Sequence, residues 1–188
     1  MYGNRNMRAL LALLLVLALT ALGCSGCTNG GAAETVPEAE TGISLTDMAG
    51  RSVRLDAPAE RVIALAGADC EIIYALGAEN TLVGRGQYCD YPREALDIPV
   101  VQSGSEMNLE QILELKPQVV LMSIMDQTEE QIAALEDAGV RVVVNVETDI
   151  EGAYESIRLI GAVVGKDAEA EALVASMQDA FGEIREKA

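Results

Sequence analysis

The sequence predicts an α/β fold, an open and mostly parallel sheet with helices on both faces that ends in a long α-helix. Three observations between Arg61 and Val146 predict it. Short apolar runs recur, each is followed by a polar loop and a helical segment, and the runs lack the alternation of half-exposed strands. Strands buried on both faces read in this way, and parallel pairing is their setting. Such a unit brings every loop that follows a strand to one edge of the sheet, where ligands bind in open α/β folds.

The predicted strands are Arg61-Val-Ile-Ala-Leu-Ala66, Thr81-Leu-Val-Gly-Arg-Gly86, Pro99-Val-Val-Gln102, Gln118-Val-Val-Leu-Met122 and Val140-Arg-Val-Val-Val-Asn-Val146. Before them, Ile43-Ser-Leu-Thr-Asp and Ser52-Val-Arg-Leu-Asp alternate around a glycine-containing turn, which predicts a hairpin. Caps mark the helices. Gly77 suits the left-handed residue that ends the first, and Asn108-Leu-Glu-Gln111 offers a capping box before Pro117 stops the chain continuing. Thr128-Glu-Glu-Gln131 is a second box, with its helix ending at Gly139. Asp149 caps a helix that runs to about Val164 and closes at Gly165. The last helix, capped by Asp167, sets Ala170, Leu173, Val174, Met177, Phe181 and Ile184 on one apolar stripe. It extends about 33 Å at 1.5 Å per residue, enough to cross one lobe and begin another, or to cover the core of a small complete protein.

At 188 residues the chain has room for one good core. Residues 1–23 predict a leader: Arg5 and Arg8 form a basic start, and Ala9 to Leu22 is an apolar run. That run of about 14 residues is shorter than the roughly 20 a spanning helix needs, so a cleaved peptide is expected. Thr20-Ala-Leu-Gly-Cys24 looks like a lipobox, which makes Cys24 the lipidated residue and the mature N-terminus. The alternative is an ordinary signal peptide with two incidental cysteines, Cys24 and Cys27. Residues 24–42, rich in Gly, Ala, Thr, Glu and Pro, read as a flexible tether. The domain plan is then residues 43–166 as one α/β lobe and residues 167–188 as the long helix.

A formal net charge of −17 argues against nucleic acid and anionic lipid surfaces, which need basic patches. The chain has no histidine, which removes the usual general base, the Ser-His-Asp triad and the commonest zinc ligand together. There is no phosphate-binding glycine loop with its lysine, and Gly84-Arg-Gly86 lacks the third glycine of a dinucleotide site. No enzymatic activity and no resident cofactor or metal are expected.

The candidate ligand-binding residues lie in the loops that follow the strands: Ala68 and Asp69, Tyr88 and Tyr91, Ser103, Gly104, Ser105 and Asn108, then Ser123 and Met125. A tyrosine can pack its ring on a macrocycle and still donate a hydrogen bond. Tyr88 is the better placed, whereas Tyr91 reads equally as packing for its own loop beside Pro92. The serines, Gly104 and Asn108 would offer small donors at a helix start, although capping alone explains Asn108. Arg85 would pair either with an anionic ligand or with an acidic side chain. Cys70 and Cys89 follow adjacent strands and are a disulfide, in an exported protein where oxidation is available, two buried thiols, or an unusual pair of soft-metal ligands that no histidine can complete.

Four segments together resemble the periplasmic binding-protein family that delivers ferric siderophores, haem and cobalamin to ABC importers. They are Arg61-Val-Ile-Ala-Leu with Glu71-Ile-Ile-Tyr-Ala-Leu-Gly77, Leu82-Val-Gly84 with Tyr88-Cys-Asp-Tyr-Pro92, Asn108 to Pro117, and the strand to Met122. The resemblance implies two lobes joined by a long helix, of which this chain carries the N-terminal lobe and the helix while the C-terminal lobe is absent. It implies that Glu71 docks on arginines of the permease, beside the bland reading in which Glu71 only favours the dipole of a first helical turn. It implies a surface-tethered, monomeric receptor for a ferric chelate, haem or cobalamin, whose partners are ABC permease subunits and the membrane that holds its lipid anchor. The competing expectation is a single-lobe interaction or sensor lipoprotein without a transport role.

Overall fold

The computed structural model describes residues 42–123 and 128–187. Cys24, the leader, most of the tether and Met125 lie outside the described residues.

The hairpin comes first, with β1 (Ile43–Thr46) antiparallel to β2 (Ser52–Leu55). The main sheet contains β3 (Val62–Ala64), β4 (Leu82–Gly86), β5 (Val100–Val101), β6 (Val119–Ser123) and β7 (Arg141–Asn145). Its order is β5-β4-β3-β6-β7 and every pairing is parallel. The helices are α1 (Gly67–Ala75), α2 (Leu109–Glu114), α3 (Glu129–Asp137), α4 (Ile150–Val164) and α5 (Asp167–Lys187). The expected α/β fold is therefore present, with the long helix at the end.

Successive strand residues serve opposite faces. Val62, Ala64, Val119, Leu121 and Val143 pack with α1 and α4, while Ile63, Leu65, Val120, Met122, Val142 and Val144 pack with α2 and α3. The unbroken apolar runs are explained by this double covering. The helix ends follow local chemistry. Gly77, Gly139 and Gly165 take positive φ where Cβ would be strained. Asp149 accepts the Gly152 N–H at 2.8 Å, and Thr128 and Gln131 complete their capping box. Asn108 gives half a box only. It accepts the Gln111 N–H at 3.1 Å, but the Gln111 carboxamide turns away to the Gln102 N–H at 3.1 Å. Asp167, expected as a cap, is the first residue of α5.

The stripe of α5 is covered only in part. Ala170 and Val174 are buried against the core, whereas Phe181 and Ile184 are exposed. At the other side the hairpin turn covers the edge strand β7, a surface that would otherwise template aggregation. Met48 donates its N–H to Val144 O at 3.0 Å, and buried Asp47 accepts the Val144 N–H at 3.2 Å. Asp47 also accepts the N–H groups of Ala49 and Arg51 at 3.1 and 2.8 Å, so one carboxylate shapes the turn and docks it. Replacing Asp47 with Ala leaves these donors unmatched and is expected to cost about 2 kcal/mol in urea unfolding. An unchanged midpoint would show that the turn docks without it.

Candidate functional site

The chain passes from β3 to β4 and β5 on one side and returns to β6 and β7 on the other. Loops leaving β3 and β6 therefore diverge, and such a switch point opens a crevice at the carboxyl edge. A groove of about 400 Å³ lies there. Leu65, Ala66 and Gly67 form one wall after β3, Gln87 and Tyr88 a second after β4, residues 102–106 a third after β5, and Ser123 closes it at the end of β6.

Of the residues singled out from the sequence, Tyr88, Ser103, Gly104, Ser105 and Ser123 line this groove. Tyr88 is 75 % exposed, so its ring is free of the core at the groove's edge. Gly104–Glu106 forms a 3-10 turn that α3 holds from behind, since the Gln131 carboxamide donates to the carbonyls of Gly104 and Ser105 at 3.1 and 3.3 Å. Gln87, Gln102 and Glu106 also line the groove and were not singled out. Their position just past the ends of β4 and β5 was the available signal. Gln102 and Glu106 are joined at 3.3 Å.

The other candidates lie elsewhere. Ala68 is exposed on α1 just beyond the wall, and Tyr91 is exposed outside the groove. Asn108 is occupied in capping α2, and six residues make that helix too short for the anion-binding start expected of it. Asp69 departs furthest from its expected place on the rim. It is fully buried and accepts a 2.7 Å hydrogen bond from Asn145 Nδ2 at the end of β7. Burial pushes its carboxyl from 3.8 up to about 7; the Asn145 bond and the Ala66 N–H oppose this, and the charge of Glu147 adds to it.

Glu71 is exposed and sits past the first turn of α1, where Asp69 is the acid. Glu71 thus lies outside the turn that the dipole reading needed, and no hydrogen bond or ion pair engages it among the described residues. Arg85 meets no carboxylate among the described residues. It is buried and donates to the carbonyls of Ile98 and Gly86 at 3.2 and 3.4 Å. Cys70 and Cys89 are free thiols, both buried, so of the arrangements expected from the sequence this structure has the unbonded one.

The groove thus offers serine hydroxyls, carboxamides, a phenol and the Glu106 carboxylate, and none of its lining residues is cationic. Among the described residues no cluster of three or more acidic or cysteine groups could hold a metal ion. Such a wall suits hydrogen bonding and ring packing with a sizeable ligand.

A family model described as periplasmic binding protein matches residues 62–188. The chain belongs to this family. It is 32 % identical over 149 residues to the uncharacterized ABC transporter substrate-binding lipoprotein YvrC of Bacillus subtilis, covering 78 % of this chain and 47 % of that protein. It is 38 % identical over 82 residues to a vitamin B12-binding protein of Vibrio cholerae, covering 44 % of this chain and 30 % of that one. The crystal structure of the haem-binding protein HmuT superposes with a TM-score of 0.64 at 30 % identity, over 77 % of this chain and 49 % of that chain. The chain spans about half the length, or less, of the relatives it matches.

Proposed function

We propose that the chain is the N-terminal lobe and spine helix of a substrate-binding lipoprotein. It captures an iron complex, such as a ferric siderophore or haem, or a corrinoid, and delivers it to the permease of an ABC importer. The observation that carries this reading is the groove at the sheet's switch point, walled by Tyr88 and Ser103–Ser105, in a chain of this family. Capture requires no chemistry. The lobe offers one wall, ring packing and hydrogen bonds hold the cargo, and a second lobe closing over the groove would exclude water. The uncovered end of α5, with Phe181 and Ile184, is where such a lobe would attach.

Lipidation at Cys24 would hold the receptor at the outer face of the cell membrane, since each buried methylene contributes about 0.8 kcal/mol and more than one acyl chain is attached. Glu71, exposed and unpaired among the described residues, is the docking acid for the permease.

The test is calorimetric titration of the chain with haemin, cyanocobalamin and a ferric hydroxamate siderophore. One of the three is expected to bind, and Tyr88→Ala to weaken it by about 5- to 10-fold, the worth of one aromatic packing contact. Glu71→Lys is expected to leave that titration unchanged while abolishing uptake in cells. Absence of heat with all three ligands overturns the reading.

A further inference from the structure

Behind the Tyr88 wall two thiols and a guanidinium share one buried space. Cys70 belongs to α1 and donates its N–H to Ala66 O at 3.4 Å, while Cys89 lies in the loop after β4 and donates its N–H to Gly86 O at 3.2 Å. Both side chains are fully buried, and they converge on one carbonyl, since Ala66 O accepts the Cys70 N–H and also meets the Cys89 sulfur. The Cys89 sulfur also lies 3.2 Å from Ala66 O and 3.5 Å from Ala64 O, which pins it over the end of β3. Arg85 completes the space. It is only 6 % exposed, and its guanidinium meets carbonyl oxygens but no carboxylate among the described residues. A buried cation without a counter-charge is costly, and a sulfur anion on Cys70 would supply that charge.

We propose that Cys70 and Cys89 are an oxidisable dithiol that closes to a disulfide by exchange with an external disulfide, stapling α1 to the loop that carries Tyr88. Cys70 attacks first. The neighbouring Cys89 thiol holds its thiol below the ordinary range and the Arg85 charge assists, against burial, whereas the Cys70 thiol and burial push the Cys89 thiol up. The Cys70 thiolate forms a mixed disulfide with one sulfur of the reagent and expels the other as a thiolate. Cys89 then loses its proton and attacks the Cys70 sulfur, which releases the second reagent thiol. Two electrons and two protons pass from the pair to the reagent, and one disulfide replaces another.

The inference stands apart from any ligand of the groove, because it rests on these three side chains alone. The staple closes a loop of about 20 residues, and the loss of chain entropy in the unfolded state is expected to raise Tm on the order of 10 °C. It also fixes the Gln87–Pro92 loop, and with it the wall that Tyr88 forms.

The test uses the full chain, purified under reduction and then treated with oxidised glutathione. Remaining thiols are blocked at acid pH before trypsin is added. Cleavage after Arg61, Arg85 and Arg93 separates peptide 62–85 from peptide 86–93 unless a bridge joins them. The bridged peptide is expected, together with a rise in Tm that dithiothreitol reverses and chymotryptic cleavage after Tyr88 that slows several-fold. Cys89→Ser is expected to abolish all three changes. Peptides that stay separate, or cysteines bridged only to Cys24 or Cys27, overturn the proposal.

Discussion

An Asp69→Asn variant is expected to be more stable than its parent by roughly 4 kcal/mol at pH 8, with the gap closing to under about 1 kcal/mol near pH 4. The ordinary value of the carboxyl is 3.8, and the folded protein moves it to about 7. At about 1.4 kcal/mol per pH unit, that separation makes roughly 4 kcal/mol. The sign follows from which state holds the proton more tightly. A raised value means that the folded chain does, so the stability it brings is complete below about pH 3.8. It is lost as pH rises toward about 7, and above that the folded protein carries a buried charge.

The surroundings explain why the neutral form fits. Asp69 Oδ2 and Asn145 Oδ1 are both buried without a partner among the described residues, and both are acceptors while Asp69 is ionised. A proton on the acid supplies a donor between them, and the carboxamide of an asparagine supplies one at every pH. Glu147, beyond β7, adds negative charge to the same neighbourhood, although its own Oε1 is engaged by Ser156 Oγ at 2.5 Å. Arg85 and the two thiols are not among the groups that shift Asp69, although the charge of Asp69 acts on both thiols. Urea unfolding of both proteins across pH 4 to 8 reads the difference directly. A gap that stays constant with pH would mean that Asp69 keeps its charge when folded.

The acid pair at α1 also shows where a sequence speaks and where it is silent. Repeated apolar runs specify strands covered on both faces, and the helix ends at Gly77, Gly139 and Gly165 are legible because a positive φ favours glycine in any context. Ser103, Gly104, Ser105 and Tyr88 were legible as groove residues because every loop after a parallel strand emerges on the same edge. Asp69 was not, because its burial depends on Asn145, 76 residues away. The docking of Asp47 and Met48 on β7 is of the same kind, joining positions 97 and 98 residues apart. Glu71 falls outside the first turn because α1 begins at Gly67, four residues before it, and a helix start displaced by one turn is enough to move an acid out of that position. The second half of the capping box at Asn108 was lost to a competing donor, the Gln102 N–H, which the loop brings within 3.1 Å of Gln111.

Gly86→Ala is expected to cost at least about 3 kcal/mol or to prevent folding, although it adds a single methyl group. Gly86 ends β4 where the groove floor begins, and β3 passes so close that an added Cβ would lie 2.2 Å from Leu65 O and 2.9 Å from Leu65 C. Those are main-chain atoms, so no side-chain rotation can relieve the contact and the two strands must part. Leu65 donates its N–H to Leu121 O at 3.0 Å, and Gly86 O accepts from Cys89 N–H and from Arg85, so separation would disturb β6, the Tyr88 loop and the buried guanidinium together. Gly182→Ala is the contrasting change. Nothing lies within 4 Å of an added Cβ there, the residue is inside α5, and alanine is expected to stabilise the helix by up to about 1 kcal/mol. Denaturant unfolding of the two variants beside the parent measures both effects. Equal stability of Gly86→Ala and the parent would mean that β3 and β4 do not approach as closely as the groove requires.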